Sequence, residues 1–377
     1  MRFSPRSSNA AGVLALAAGL MVPSAHASQW RLNLSEGVTN VSQNVYDLHM
    51  LIFWICCVIG VVVFGVMFVS MYLHRKSRGA VASNFHESTL LEIIWTIIPF
   101  FILVGMAFPA TKSLIEIYDT SDPDVEVLVT GYQWNWKYEY PEHGVSFFSN
   151  LSTPAEQIAD QTEQGENYLL EVDEPLVIPV GKKVRFLVTA ADVIHSWWVP
   201  QLAVKRDAIP GYINEAWTRI EEPGLYRGQC AELCGKDHGF MPIEVKAVPQ
   251  EDYDAFIAER KALALEIAEA AKQTLSFDAL YEQGEKVYLQ QCATCHQADG
   301  KGLPPAFPAI AGSAIAMGEI SDHLNRVING GGAMPPFGEQ LTPVETAAVI
   351  TFQRNAFGNN MGDIIQPIDV VNYKQGQ

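Results

Sequence analysis

Residues 230–241 read Cys-Ala-Glu-Leu-Cys-Gly-Lys-Asp-His-Gly-Phe-Met, which places two thiols, an imidazole and a thioether close together in the chain. Thiolate and thioether ligands together favour copper, because zinc rarely takes methionine. A second imidazole, His195, stands in Asp-Val-Ile-His-Ser-Trp-Trp, at the end of a strand-like run. A loop that carries most ligands, completed by one histidine from a neighbouring strand, can form a metal site at the rim of a β-sandwich. The sequence therefore predicts a copper site supported by a sheet.

From the residues alone, this stretch is also compatible with three alternative structures. A disulfide between Cys230 and Cys234 would close a very small loop and leave His238 and Met241 without a role. A Cys₂His₂ zinc site would account for cysteines and histidines but not for Met241. A mononuclear copper site needs only one cysteine, so the second would be unused. Each alternative leaves at least one candidate ligand without a function.

The region around this stretch is rich in strand signals. Residues 125–130, Val-Glu-Val-Leu-Val-Thr, alternate in polarity, and residues 176–179 and 184–189 are β-branched runs bounded by proline or glycine. Several short strands separated by turns are typical of a sandwich or barrel. We therefore predict a β-domain over residues 120–247 and an Ala/Glu/Lys/Leu-rich helical connector over residues 248–274.

Together with His195, the stretch resembles the dinuclear copper (CuA) site of the cytochrome c oxidase subunit II family. The resemblance implies a cupredoxin-like β-sandwich in which Cys230 and Cys234 bridge two coppers. It implies four further ligands: His195 and His238, with Met241 and the Glu232 backbone carbonyl as weak outer ligands. Two bridging thiolates share one electron over both metals, so the bonds change little on reduction and electron transfer is fast. The Glu232 side chain would reach a Mg²⁺ at the interface with subunit I.

Two further segments match the same family. Residues 131–140, Gly-Tyr-Gln-Trp-Asn-Trp-Lys-Tyr-Glu-Tyr, match its aromatic segment, with Tyr132 where a histidine often stands. The resemblance makes Trp134 the aromatic at the electron-accepting surface, whereas periodicity alone favours packing in a sheet. Glu92, in Glu-Ile-Ile-Trp-Thr-Ile-Ile-Pro, matches the carboxylate near the start of the family's K proton pathway. A glutamate that simply faces water at the interface is the alternative.

The N-terminal part predicts a membrane anchor. Residues 1–27 resemble a secretory signal, with a basic start, an apolar run and a cleavage site at Ala27. An uncleaved anchor helix is the alternative, although the apolar run is short for a span. Residues 28–112 contain two apolar spans, at about 51–73 and 93–112, and about 20 apolar residues suffice to cross a bilayer. The basic residues between the spans make that loop cytoplasmic. We therefore predict a transmembrane hairpin in a bacterial inner membrane, with the large C-terminal part in the periplasm.

Residues 292–296 read Cys-Ala-Thr-Cys-His, which is the C-x-x-C-H signature for covalent attachment of c-type haem. Cys292 and Cys295 would form the thioethers, and His296 would be the proximal iron ligand. A thioredoxin-like motif would need a βαβ context, for which the sequence gives no sign. The signature therefore predicts haem c.

Met334 is the predicted second axial ligand. It lies in the glycine- and proline-rich loop Gly-Gly-Ala-Met-Pro-Pro, whereas Met317 lies in an Ala-rich segment and Met361 in the tail. Histidine–methionine ligation raises the potential, which suits an electron carrier. Residues 275–377 therefore resemble an all-α class I cytochrome c domain with a tail, in which we interpret His323 as a surface histidine.

The whole chain has 377 residues and a formal net charge of −17. This length predicts two or three domains. The acidic balance argues against a nucleic-acid binder, which needs a basic face. It also argues against binding to anionic lipid surfaces and leaves basic protein partners open.

The order of these parts resembles subunit II of a caa₃-type haem–copper oxidase. Its fold class would be a multidomain membrane protein with a transmembrane hairpin, a cupredoxin-like sandwich and a cytochrome c domain. The resemblance implies electron flow from cytochrome c or another periplasmic donor through haem c and CuA to subunit I. There O₂ is reduced to water with proton pumping, and subunit III is a further partner. Tethering the donor replaces a diffusional encounter by a high effective concentration.

Four alternative functions fit less of the sequence. A CuA-containing nitric oxide reductase would use the same sandwich, but the two spans and Glu92 favour the oxidase. A nitrous oxide reductase would carry many more than the nine histidines present. A copper-delivery or assembly protein would need exposed, labile ligands and no haem, and a quinol oxidase subunit would have lost the copper ligands.

Overall fold

The structure is a computed structural model, and it describes residues 33–81, 86–332 and 334–376. The chain divides after Ser113 into two units. The first unit is built from long apolar helices, and the second contains a β-sandwich followed by a helical region. This order of elements confirms the predicted fold class. The predicted signal segment, residues 1–27, lies outside the described residues.

Two long helices form the membrane part. Helix α1 spans Asn40–Leu73 and helix α2 spans Thr89–Tyr118, so both extend beyond the predicted spans. Both are long and apolar enough to cross a membrane, and no side chain in their most apolar stretches is buried within the chain. A helix that is apolar on every face needs lipid or other helices around it. Pro99 and Pro109 lie inside α2, which membrane helices tolerate where neighbours satisfy the freed carbonyl groups.

The β-domain consists of two five-stranded sheets, with the orders β3-β2-β1-β5-β8 and β4-β10-β9-β6-β7. The strands are β1 (Val125–Tyr132), β2 (Asn135–Tyr140), β3 (Val145–Ser149), β4 (Leu176–Pro179), β5 (Val184–Ala190), β6 (His195–Val199), β7 (Val204–Ala208), β8 (Asn214–Thr218), β9 (Gly224–Cys230) and β10 (Pro242–Val248). A short helix, α3 (Ala155–Ile158), lies between β3 and β4.

Large aromatic side chains fill the space between the sheets. Trp136, Tyr138, Phe186 and Trp197 are all fully buried, and the rings of Phe186 and Trp197 are 4.8 Å apart. Burial alternates residue by residue along β5, as expected of a strand with one face on a core. The aromatic segment therefore contributes to the core, although Trp134 is partly exposed and does not share this role.

The connector is a single helix, α4 (Gln250–Ala270), and its first half packs on the sandwich. Tyr253 and Ile257 are buried there. Arg260 pairs with Glu174, and its guanidinium lies 4.6 Å from the centre of the Phe147 ring. The connector is therefore anchored to the sandwich at its start.

The C-terminal region is helical and has its own apolar core. Gly284 lets its first helix approach the helix Pro343–Asn355 closely, because a Cβ at that position would lie 2.1 Å from the Ala348 carbonyl oxygen. The first helix of this region therefore packs directly against the helix that carries Ala348. The helices are α5 (Phe277–Val287), α6 (Ala293–His296), α7 (Ile320–Asn329), α8 (Pro343–Asn355) and α9 (Pro367–Gln375), with a π-helical turn, Tyr288–Cys292, joining α5 to α6.

Candidate functional site

Two neighbouring strands bring His195 and Cys230 together. Strand β6 begins at His195 and runs antiparallel to β9, which ends at Cys230, with Trp197 opposite Cys230. Gly131 leaves room for the His195 ring, because a Cβ on Gly131 would lie 2.8 Å from His195 Cδ2. After β9 the chain forms the loop of residues 231–241 and returns as β10, which pairs with β9. The register of one sheet therefore brings residues distant in sequence to one place.

Five predicted ligands converge within this loop and the end of β9. The Sγ atoms of Cys230 and Cys234 are 3.9 Å apart. Cys234 Sγ lies 3.4 Å from His238 Nδ1 and 3.5 Å from Met241 Sδ. Cys230 Sγ lies 3.4 Å from the Glu232 carbonyl oxygen. We call these residues together with His195 the sulfur–imidazole cluster.

His195 completes the cluster from β6. Its ring nitrogen and the two cysteine sulfurs lie within 4.8 Å of one another. His195 Nε2 hydrogen-bonds Asp192 Oδ1 at 2.9 Å, which leaves Nδ1 buried and without a partner among the described residues. Burial opposes protonation, but the Asp192 carboxylate and the nearby Cys230 sulfur outweigh it and raise the pKa of His195. A buried, unpaired ring nitrogen beside two sulfurs fits a metal ligand, with Asp192 orienting the ring.

The two cysteines carry free thiols. Their separation of 3.9 Å far exceeds the bond length of about 2.05 Å in a disulfide. The hydrogen bond from Cys234 lowers the pKa of Cys230 well below its ordinary value, and the same interaction raises that of Cys234. Metal binding requires thiolates. Because Met241 Sδ is part of the cluster and is buried, the donor set fits copper better than zinc.

Trp134 lies in the turn between β1 and β2, outside the aromatic core. It is partly exposed, and its indole Nε1 donates a hydrogen bond to the Cys234 carbonyl oxygen at 3.2 Å. The side-chain amide of Gln133 donates to the same oxygen at 2.8 Å. Sequence reasoning missed Gln133 and Asp192. The only signal for Asp192 was its position three residues before His195, a candidate ligand. The only signal for Gln133 was its position next to Trp134.

Two predicted carboxylates remain exposed. Glu232 projects from the ligand loop, and its backbone carbonyl, not its side chain, contacts the cluster. Glu92 lies in the first turn of α2 and is also exposed. Their predicted roles, in Mg²⁺ binding and proton uptake, require groups outside this chain.

The haem-attachment residues follow one another around the π-helical turn and α6. Cys292 and Cys295 are half-buried, and burial raises the pKa of Cys292 to about 12. His296 Nδ1 hydrogen-bonds the Pro308 carbonyl oxygen at 2.8 Å, which leaves Nε2 available for iron. Met334 is partly buried and packs on the same apolar core as Cys292. The residues present therefore fit a covalently bound haem.

The remaining downstream methionines, Met317 and Met361, are exposed. The interpretation of His323 as a surface histidine is wrong. It lies on α7 with 3% of its surface exposed, and Nε2 hydrogen-bonds Gln353 Oε1 at 2.8 Å. Burial lowers the pKa of His323 to about 4, so the ring is neutral at pH 7. The sequence carried a signal for this, because His323 stands three residues after Ile320 and four before Val327, on the apolar face of an amphipathic helix.

Three family profiles match the chain in order. Residues 27–113 match "Cytochrome C oxidase subunit II, transmembrane domain", and residues 125–248 match "Cytochrome C oxidase subunit II, periplasmic domain". Residues 279–352 match "Cytochrome C oxidase, cbb3-type, subunit III". The third match overlies the region predicted from the C-x-x-C-H signature.

Curated relatives agree with these matches. A probable cytochrome c oxidase subunit 2 of Rickettsia felis is 40% identical over 238 residues, which cover 63% of this chain and 74% of that protein. Cytochrome c oxidase subunit 2 of Cyanidium caldarium is 37% identical over 239 residues, which cover 62% of this chain and 92% of that protein. The periplasmic domain of subunit II from Bradyrhizobium japonicum is 39% identical, with a TM-score of 0.34 and coverage of 38% of this chain and 97% of that structure.

Proposed function

The chain belongs to the cytochrome c oxidase subunit II family, and we propose that it is the electron-accepting subunit of a terminal haem–copper oxidase. When bound, haem c and a dinuclear copper centre would supply the one-electron groups that relay electrons from a periplasmic donor to subunit I. The sulfur–imidazole cluster carries this proposal, because two sulfurs within 3.9 Å are flanked by the other predicted ligands.

The cluster residues have distinct roles in holding copper. Cys230 and Cys234 would bridge the metals as thiolates, and His195 and His238 would each supply one nitrogen. Asp192 fixes the His195 ring through Nε2, so that Nδ1 faces the sulfurs. Trp134 donates to the Cys234 carbonyl, which couples an aromatic ring at the surface to the ligand loop.

The ligand loop and the haem-attachment motif are neighbours. The charges of Lys236 and Asp237 both act on the Cys295 thiol, whose pKa is raised chiefly by burial. Cys295, which would hold the haem, therefore lies within range of the charges on the loop that carries the copper ligands. This proximity supports transfer within the chain, with His296 and Met334 as axial ligands.

Exposed apolar side chains beside the cluster support docking to other oxidase subunits. Ile194 precedes His195, Leu233 precedes Cys234, and both are exposed, with 78% of Leu233 accessible. Contiguous exposed apolar residues commonly mark protein interfaces. We propose that subunit I covers this end, where Glu232 would contribute to Mg²⁺ binding, and that subunit III completes the complex in the inner membrane. Glu92, which follows the predicted cytoplasmic loop at the start of α2, would contribute to proton uptake from the cytoplasmic side.

The test is an EPR spectrum of the oxidised full-length chain, purified from membranes with its partner subunits. One electron hole shared by two equivalent copper nuclei of spin 3/2 gives seven hyperfine lines, whereas a single nucleus gives four. We expect seven lines, and haem that stays with the chain after denaturing electrophoresis. Four lines, or a chain that binds zinc and gives no copper signal, would contradict the proposed dinuclear site.

A further inference from the structure

A polar contact joins the haem-binding region to the sandwich. The Glu339 carboxylate, on the loop that follows Met334, accepts hydrogen bonds from Lys137 Nζ at 2.7 Å and from the Tyr132 hydroxyl at 3.2 Å. Beside it, Gln340 Oε1 accepts from Asn135 Nδ2 at 3.1 Å. The three donors lie at the end of β1 and the start of β2, on either side of the turn that carries Trp134.

Lys137 is the buried partner in this contact. Its side chain is only 10% exposed, although that of Glu339 is 65% exposed. Lys137 Nζ also lies 3.1 Å from Glu139, so two carboxylates balance one cation. Removing a partner from a buried ion pair costs more than removing one from an exposed pair. The hydrogen bond from Lys137 also lowers the pKa of Glu339, which keeps the carboxylate charged.

The neighbouring residue Gly338 fixes the position of Glu339 against the helices α7 and α9. A Cβ on Gly338 would lie 2.6 Å from Ile328 Cγ2, so only glycine allows the loop to sit this close to α7. Lys374 on α9 donates to the Gly338 carbonyl oxygen from the other side. The contact is nevertheless loosely packed, because a cleft of about 420 Å³ opens beside Glu339, lined in part by Tyr132 and Lys374.

The haem-binding region is joined to the sandwich through the connector helix α4, and the contact at Glu339 is a second, non-covalent attachment. The first half of α4 is anchored to the sandwich, whereas Leu263 and Leu265 further along it are exposed. We infer that Glu339 is a docking residue that holds the haem-binding region reversibly on the β1–β2 turn through Lys137 and Tyr132. This inference rests on the proposed function. Docking at Glu339 fixes the position of the loop that carries Met334, and that position matters only if electrons pass from the haem to the copper ligands.

Hydrogen exchange followed by mass spectrometry tests the docking directly in the full-length complex. In Glu339→Gln, the backbone amides of residues 132–137 and 337–341 should exchange about three- to tenfold faster than in the wild type, because the charged acceptor is lost. The matched variant Glu282→Gln removes an exposed ion pair with Lys286 on α5 and should leave these amides unchanged. Added salt should speed exchange in the wild type and have little effect in Glu339→Gln.

A double-mutant cycle supplies the second measurement. Lys137 also pairs with Glu139, and Tyr132 also donates to Glu339, so the two single variants need not exchange equally fast. If Glu339 acts through Lys137, the double variant should nevertheless show less than the sum of the effects of Glu339→Gln and Lys137→Gln. Unchanged exchange in Glu339→Gln, or additive effects in the cycle, would overturn the inference. These readouts do not depend on copper. Failure of the EPR test would therefore disprove the proposed function. Unaltered exchange in Glu339→Gln would disprove only the docking role.

Discussion

The two candidate cofactor sites are constructed in opposite ways. In the sandwich, sheet register brings His195 to the end of β9 and the ligand atoms already contact one another, at 3.4 to 3.9 Å. In the haem region the attachment residues are contiguous in sequence, but their side chains contact other groups: Cys292 lies 3.7 Å from the Gln353 amide, and His296 bonds to Pro308. The first site is preorganised by the fold, whereas the second depends on covalent attachment at a local motif.

The largest expected effect separates the two sites. Cys234→Ser removes the sulfur that contacts Cys230, His238 and Met241. We therefore expect complete loss of the seven-line copper signal, with full retention of covalent haem. EPR and haem staining of denatured chains measure both quantities in one preparation.

The control for this variant is Cys57→Ser, which changes a cysteine on α1 and should leave both signals intact. Loss of covalent haem in Cys234→Ser would show that the two sites are not assembled independently. The contrast between a preorganised copper site and a locally encoded haem site would then be wrong.

A smaller effect tests how the sheet preorganises the copper ligands. Asp192→Asn keeps the size of the side chain that bonds to His195 Nε2 but removes its charge. Partners of this kind typically contribute about ten- to a hundredfold to metal affinity. We expect copper affinity to fall by that factor, measured by competition with a chelator, while the haem spectrum stays unchanged.

The matched control is Asp237→Asn, which removes a charge of the same sign from the ligand loop, directly before His238. Its copper affinity should stay within about twofold of the wild type, in line with the small effects of most surface substitutions. Equal losses in the two variants would mean that Asp192 acts only through the general charge of the region.

The sequence predicted the residues of local motifs, but it did not predict residues whose roles depend on tertiary structure. The C-x-x-C-H signature and the 230–241 stretch are local, so their residues could be named without a fold. The β-strands were recognisable by alternation, and the helices by length and apolarity. Asp192 and Gln133 were missed because their roles depend on where a strand end and a turn meet. His323 was misassigned although its spacing from Ile320 and Val327 places it on the apolar face of α7.

His323 provides the smallest prediction, and it concerns the region that lacks preorganised ligands. Burial lowers its pKa from 6.5 to about 4, so the unfolded chain binds a proton more readily than the folded one. The resulting stability is fully present above pH 6.5 and is lost progressively as the pH falls toward 4. Between pH 7 and 5 we expect the free energy of unfolding of the haem region to fall by about 1 to 2 kcal/mol from this group.

Denaturant titrations of the holoprotein, followed by circular dichroism of the haem, measure this free energy at each pH. His323→Gln removes the titrating group and should reduce the loss between pH 7 and 5 by that amount, even if its stability at pH 7 is lower. His143→Gln, in the sandwich, should leave the pH dependence unchanged. Equal pH dependence in His323→Gln and the wild type would show that the buried ring becomes accessible to protons without unfolding. The haem region would then be a more open structure than its closely packed helices α5 and α8 indicate.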